Sequence, residues 1–103
     1  DNVTTEGWRA TASPEDVHYA CRYLRCTPKD LTEAMIAACL SCVSDMAIIP
    51  MADWLHLGAE ARINTPSTQG SNWQWRLTTP LTSLLADHIA DLTVLYDRAP
   101  AAE

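Results

Sequence analysis

Apolar residues recur at three- and four-residue intervals in two long stretches of the chain and lose that spacing between them, a pattern of helices joined by loops. Leu31, Ala34, Met35, Ala38, Cys39, Cys42 and Val43 form the first stripe, which predicts a helix over 29–44 burying one continuous face. Leu81, Leu84, Leu85, Ile89, Leu92 and Leu95 form the second and predict a helix over 81–97. A further helix, 14–25, is predicted from its start. Ser13 can cap it, Pro14 suits the first helical position, and Glu15 and Asp16 face the positive end of the dipole. Thr27 and Pro28, with Asp30 at the capping-box position, open the 29–44 helix in the same way. Residues 1–13, with scattered Thr, Gly and Ser, are expected to be loop with at most one helical turn.

Two stretches break the helical pattern. Residues 46–50 are a short apolar run with adjacent β-branched Ile48 and Ile49, closed by Pro50. A run apolar on both faces predicts a strand buried on both sides, and helix, buried strand, loop is the unit of an α/β barrel. Ala52 to Leu57 are expected to make a helical turn ended by Gly58. Residues 58–80 hold Asn64, Pro66, Gly70 and Asn72 and predict a long loop of functional length. Within it Trp73 and Trp75 alternate with Asn72, Gln74 and Arg76, which puts both indoles on one side of an extended segment. The fold class expected is mostly α, with about three main helices and one short buried β-strand.

Composition narrows the partners. A chain of 103 residues with 48% hydrophobic and 19% charged residues supports one folded domain rather than disorder. Its formal net charge of −6 repels phosphate backbones and anionic membranes, which argues against nucleic acid. No apolar run nears the roughly 20 residues of a spanning helix, and Asp1-Asn2 does not open a leader. The expectation is a soluble, cytoplasmic protein. Cys21, Cys26, Cys39 and Cys42 could form two disulfides, but they sit in segments that read as helices, so buried free thiols are favoured. The same four with His18 could be imagined as a zinc shell, yet both cysteine pairs lie in regular helices rather than tight knuckles, so no metal is expected. Neither a Walker loop nor a dinucleotide fingerprint occurs, and no cofactor is expected.

Three ordered blocks carry a resemblance. Residues 60–77 run Glu-Ala-Arg-Ile-Asn-Thr-Pro-Ser-Thr-Gln-Gly-Ser-Asn-Trp-Gln-Trp-Arg-Leu, similar to a block of bacterial amylomaltases in which Ala-Arg-Met-Asn-x-Pro-Gly-Thr leads into Asn-Trp-x-Trp-Arg. Residues 1–8, Asp-Asn-Val-Thr-Thr-Glu-Gly-Trp, resemble the family's His-Asp-Asn motif followed by Thr-Thr and Gly-Trp. Residues 47–53, Ala-Ile-Ile-Pro-Met-Ala-Asp, look like its last barrel strand and loop, which usually reads Pro-x-Gln-Asp. The chain thus resembles the C-terminal end of a 4-α-glucanotransferase of the amylomaltase, or disproportionating enzyme, family, glycoside hydrolase family 77.

That resemblance implies a C-terminal piece of a (β/α)8 barrel and transfer of α-1,4-glucan segments between malto-oligosaccharides or to glucose. Retaining chemistry uses a nucleophilic and an acid/base carboxylate about 5–5.5 Å apart; in the family both lie upstream of these motifs. Asp1 maps onto the third carboxylate, which holds sugar hydroxyls and favours the transition state. Asn64 is implied as a sugar contact, against an Asx-type turn before Pro66; Arg62 is a second candidate contact, though pairing with Glu60 or another acid is favoured for it. Ala52 stands where the family usually has Gln, and Ser67 where it has Gly. Trp73, Trp75, Trp8 and Trp54 read as packing anchors rather than sugar platforms, and His88 as a solvated or capping residue. A barrel takes about 250 residues, so this stretch alone is expected to be inactive, with its apolar faces repacked or self-associated. The alternative reading is a small helical interaction module using the stripes at 31–43 and 81–95.

Overall fold

The computed structural model describes residues 3–62, 70, 75–78 and 80–100. Five α-helices follow in order: α1 (Thr5–Thr11), α2 (Pro14–Leu24), α3 (Leu31–Ser41), α4 (Met51–Trp54) and α5 (Ser83–Leu95), with 3₁₀ turns at Pro28–Asp30 and Ala59–Ala61. Side-chain hydroxyls start three of them. Thr4 Oγ1 accepts from Gly7 N at 3.1 Å, Ser13 Oγ from Asp16 N at 3.2 Å and Thr82 Oγ1 from Leu85 N at 3.2 Å. Each satisfies a backbone donor that its helix cannot, worth about 1 kcal/mol. The first cap explains why residues 5–11 are helical despite their loop-like composition: Thr4 caps, Glu6 lies in the first turn and Arg9 in the last. Thr27 behaves otherwise than expected. It makes no cap bond; its hydroxyl donates to Asp30 Oδ2 at 3.0 Å, and the 3₁₀ turn Pro28–Asp30 precedes α3.

Glycine plays no part in ending the helices. The left-handed positions after α2, α4 and α5 are Arg25 (φ 56), His56 (φ 56) and Asp97 (φ 57). In each case the residue after the left-handed one closes a six-residue backbone ring: Cys26 N to Cys21 O at 3.0 Å, Leu57 N to Ala52 O at 2.8 Å and Arg98 N to Thr93 O at 2.8 Å. These are Schellman closures, in which a left-handed residue lets late N–H groups satisfy the last carbonyls.

α3 is the central element, touching α1, α2, α4 and α5. Its buried residues are Leu31, Thr32, Ile36 and Leu40, joined by Cys21, Ala52 and Ala61. The stripe expected from spacing is therefore only partly the buried one: Met35, Ala38, Cys42 and Val43 are exposed. α3 is apolar on nearly every side, so periodicity cannot choose among its faces, and packing against α2 and α4 makes the choice. The radius of gyration, 15.2 Å, exceeds the roughly 13 Å of a compact chain this size, in keeping with so small a core.

The expected fold class is corrected here. Among the described residues there is no strand, and 46–50 is neither helix nor sheet. Met46 and Ile48 are exposed and Ala47 and Ile49 half-buried, so the run rests one face on the helices and leaves the other to solvent. A buried strand needs a neighbour to take its backbone donors and acceptors. Among the described residues no second strand pairs with these, and the described part of the chain is all-α rather than α with one buried barrel strand.

Candidate functional site

The first residues described and the segment around 51–62 are far apart in sequence and meet in space. Asp53, in α4, does not serve its own helix; its Oδ1 accepts from Thr5 N at the start of α1, at 2.9 Å. Gly7 lies next to the turn Ala59–Ala61. A Cβ on it would stand 3.0 Å from Thr4 Oγ1, 3.0 Å from Val3 Cγ2 and 3.1 Å from the backbone N of Ala59. Here the lack of a side chain lets two backbones approach. Gly7→Ala is therefore expected to cost roughly 1 kcal/mol through overpacking, read as a lower urea midpoint. An unchanged midpoint would mean that the turn at 59–61 yields freely.

Glu6 pins the same corner to α3. Its Oε2 accepts from Arg9 Nε at 3.0 Å and Nη2 at 2.7 Å, and its Oε1 from the hydroxyl of Thr32, a residue only 1% exposed, at 2.9 Å. Burial pushes the Glu6 carboxyl up, but the bonds from Arg9 and Thr32 and the Arg9 charge outweigh it and hold it below the ordinary range.

A second carboxylate, Glu33 on α3, joins three elements. Its Oε1 meets His56 Nε2 at 2.7 Å and its Oε2 meets His88 Nε2 at 3.1 Å. An ionised carboxylate only accepts, so each imidazole presents an Nε2–H. The His88 ring also stands edge-on to Trp54, centroids 5.9 Å apart at 88°. Burial again acts upward on Glu33, and the bonds and charge of the two histidines win, leaving its carboxyl below the ordinary value of 4.5. A depressed carboxyl stabilises the fold fully above its unfolded pKa and loses that contribution as pH falls through its folded one. The contact of α3 with α5 should thus weaken below about pH 4.5, visible as a change in Trp54 fluorescence, and Glu33→Gln should flatten that step. An identical acid transition in the variant would assign it to Glu6 instead.

Of the residues singled out from sequence, Arg62 follows the 3₁₀ turn, half-buried, its N–H donating to Ala59 O at 3.1 Å. Asp1, Asn64, Ser67 and Trp73 lie outside the described residues. What meets at this corner is Thr5 with Asp53 and Gly7 with Ala59. Ala52 is buried. Trp8, Trp54 and Trp75 are half-buried. Sequence reasoning missed Asp53 as the tie between the two segments and Glu33 as a hub. Gly7, one of only three glycines and isolated in a helix, is the one signal that could have marked the close approach. All four cysteines are free thiols, and among the described residues no group of three or more His, Cys, Asp or Glu could hold a metal ion. No helix of the described residues is long and apolar enough to cross a membrane.

A profile of the 4-alpha-glucanotransferase family matches residues 1–82. The chain belongs to that family. It is 40% identical over 103 residues to the chloroplastic/amyloplastic 4-alpha-glucanotransferase DPE1 of Arabidopsis thaliana, an alignment taking in 95% of this chain and 18% of the relative. It is 41% identical over 101 residues to the 4-alpha-glucanotransferase of Clostridium butyricum, covering 95% and 21%. Among solved structures it is similar to the amylomaltase from Streptococcus agalactiae in complex with acarbose, with a TM-score of 0.89 and 33% identity over 97% of this chain and 21% of that one. The chain thus spans about a fifth of the length of the relatives it matches.

Proposed function

We propose that this chain supplies one part of the working site of a 4-alpha-glucanotransferase, which moves α-1,4-glucan segments between malto-oligosaccharides, or to glucose, by a retaining double displacement. The observation that carries the reading is the match of nearly the whole chain, in sequence and in shape, to such enzymes and to an amylomaltase that binds acarbose. In this reading Asp1 is the carboxylate that favours the positively charged transition state, and Asn64 and Arg62 contact sugar hydroxyls. The approach of Gly7 to Ala59 and the bond from Thr5 N to Asp53 support it, because they bring residues 5–7 up to residues 53–59. The nucleophile and acid/base carboxylates belong to the remaining four-fifths of the relatives' length, so the 103 residues alone bind weakly and do not transfer. No metal or organic cofactor takes part. A net charge of −6 disfavours nucleic acid and anionic membranes, and four free thiols suit a reducing, cytoplasmic setting.

A second property rests on its own observation. Tyr19, Tyr23, Val43, Ile48, Leu84 and Val94 are exposed, Val43 completely, and such surface favours association of copies. The test combines glucose release from maltotriose with light scattering on the purified chain. A folded chain that releases no glucose, alone or self-associated, is the expected result. Transfer at a fixed rate per chain would refute the assignment of the missing carboxylates and send the search for a nucleophile back to these residues.

A further inference from the structure

All three Schellman closures bring together the side chains at the two ends of the six-residue ring, a place usually filled by an apolar contact. After α4 the pair is Ala52 and Leu57 and after α5 it is Thr93 and Arg98, but after α2 it is Cys21 and Cys26. The backbone bond from Cys26 N to Cys21 O is 3.0 Å. With standard backbone lengths it caps the Cα–Cα separation at about 7 Å, at the upper edge of the roughly 4.4–6.8 Å that disulfides span. Both residues line one open cavity of about 1030 Å³, together with Val17, His18, Arg22 and Thr27. Cys21 is buried and Cys26 half-buried. The two thiols are thus held near each other by main-chain geometry, and one of them opens onto a space that a small oxidant can enter.

We propose that Cys21 and Cys26 form an oxidisable dithiol that closes to a disulfide across the C-terminus of α2 by exchange with a small-molecule disulfide such as oxidised glutathione. Cys26, the more accessible, attacks as its thiolate one sulfur of glutathione disulfide and expels one glutathione thiolate. Cys21, its proton lost to solvent, then attacks the Cys26 sulfur of the mixed disulfide and expels the second. The two protein thiols give up two electrons and two protons, and the oxidant leaves as two glutathione molecules. Burial, reinforced by the Cys21 thiol and by Asp30, pushes the Cys26 thiol up. A basic thiol is a poor leaving group, so the closed bond resists reduction. Closure fastens α2 to the turn Pro28–Asp30 that leads into the central helix. This inference does not depend on the glucanotransferase reading.

The two cysteines can be told apart from the other pair. Trypsin cuts after Arg22, Arg25 and Lys29, leaving Cys21 in peptide 10–22 and Cys26 in peptide 26–29, while Cys39 and Cys42 stay together in peptide 30–62. The folded chain is incubated in buffers of graded glutathione disulfide to glutathione ratio, alkylated, digested and weighed. The expected product is a linked pair of peptides 10–22 and 26–29, lighter than the two thiol peptides by two hydrogen atoms and lost with dithiothreitol. Cys26→Ser and Cys26→Ala should both abolish it. A Cys26 that carries glutathione while Cys21 stays free would overturn the proposal, as would a link that forms only after unfolding in urea, or one that joins either residue to Cys39 or Cys42.

Discussion

Leu31→Ala is expected to lower the unfolding free energy by about 3 kcal/mol, within the roughly 2–5 kcal/mol of buried leucine truncations. Leu31 is the only large apolar side chain with no exposure at all among the described residues, and it opens the helix that every other helix touches. Its removal takes transfer energy from the core and leaves a gap that the surrounding side chains fill only in part. A domain of this size holds on the order of 5–15 kcal/mol in total, and the buried set here is small, so the loss is a large share. Urea unfolding followed by far-ultraviolet circular dichroism reads it as a lower midpoint with little change in slope. A drop under about 1 kcal/mol would show that the helices close over the gap and that Leu31 is not the keystone of the packing.

Arg98→Ala should release the end of α5 from α3. The guanidinium donates to three carbonyls that α3 and the residues after it leave without helical partners: Leu40 O at 2.7 Å from Nε, and Cys42 O at 3.2 Å and Ser44 O at 2.9 Å from Nη2. A cation at a helix C-terminus also meets the negative end of the dipole. Charged hydrogen bonds of this kind carry about 1.5–3 kcal/mol between them when part of the group is buried, and about 2 kcal/mol is expected for their joint loss. Because α5 has no fully buried residue of its own, the loss should fall on α5 alone. Amide exchange would speed up over Ser83–Leu95 while Leu31–Ser41 stays protected. Arg98→Lys should recover only part, since an ammonium cannot reach three carbonyls with a planar fork. Unchanged exchange over Ser83–Leu95 would mean that α5 is held by its other contacts, the Glu33–His88 bond among them.

These two sites fall on opposite sides of what a one-dimensional reading can reach. Leu31 stands in the apolar stripe visible from spacing, and only its rank within that stripe needed the fold. Nothing about Arg98 in the sequence marks it, because its partners lie 54 to 58 residues away. The same division runs through the candidate site. Asp1, Arg62 and Asn64 are suggested by motif resemblance alone. The bond from Thr5 N to Asp53 spans 48 positions and the Glu33–His88 contact 55; the motif around 47–53 marks Asp53 without naming its partner, and nothing in the sequence sets Glu33 apart from an ordinary surface acid.

Features that are local or inherited can be read from the residues alone. Ser13 and Pro14 start a helix because a hydroxyl and a ring preset the first turn whatever surrounds them, and three ordered motifs with a family profile over residues 1–82 place the chain among 4-alpha-glucanotransferases. Packing between distant segments settles the rest. It chose Leu31, Ile36 and Leu40 as the buried face of a helix apolar almost all round, and it left 46–50 without a strand. A strand is a relation between two segments, and its apolar composition cannot create the neighbour whose backbone it would pair with.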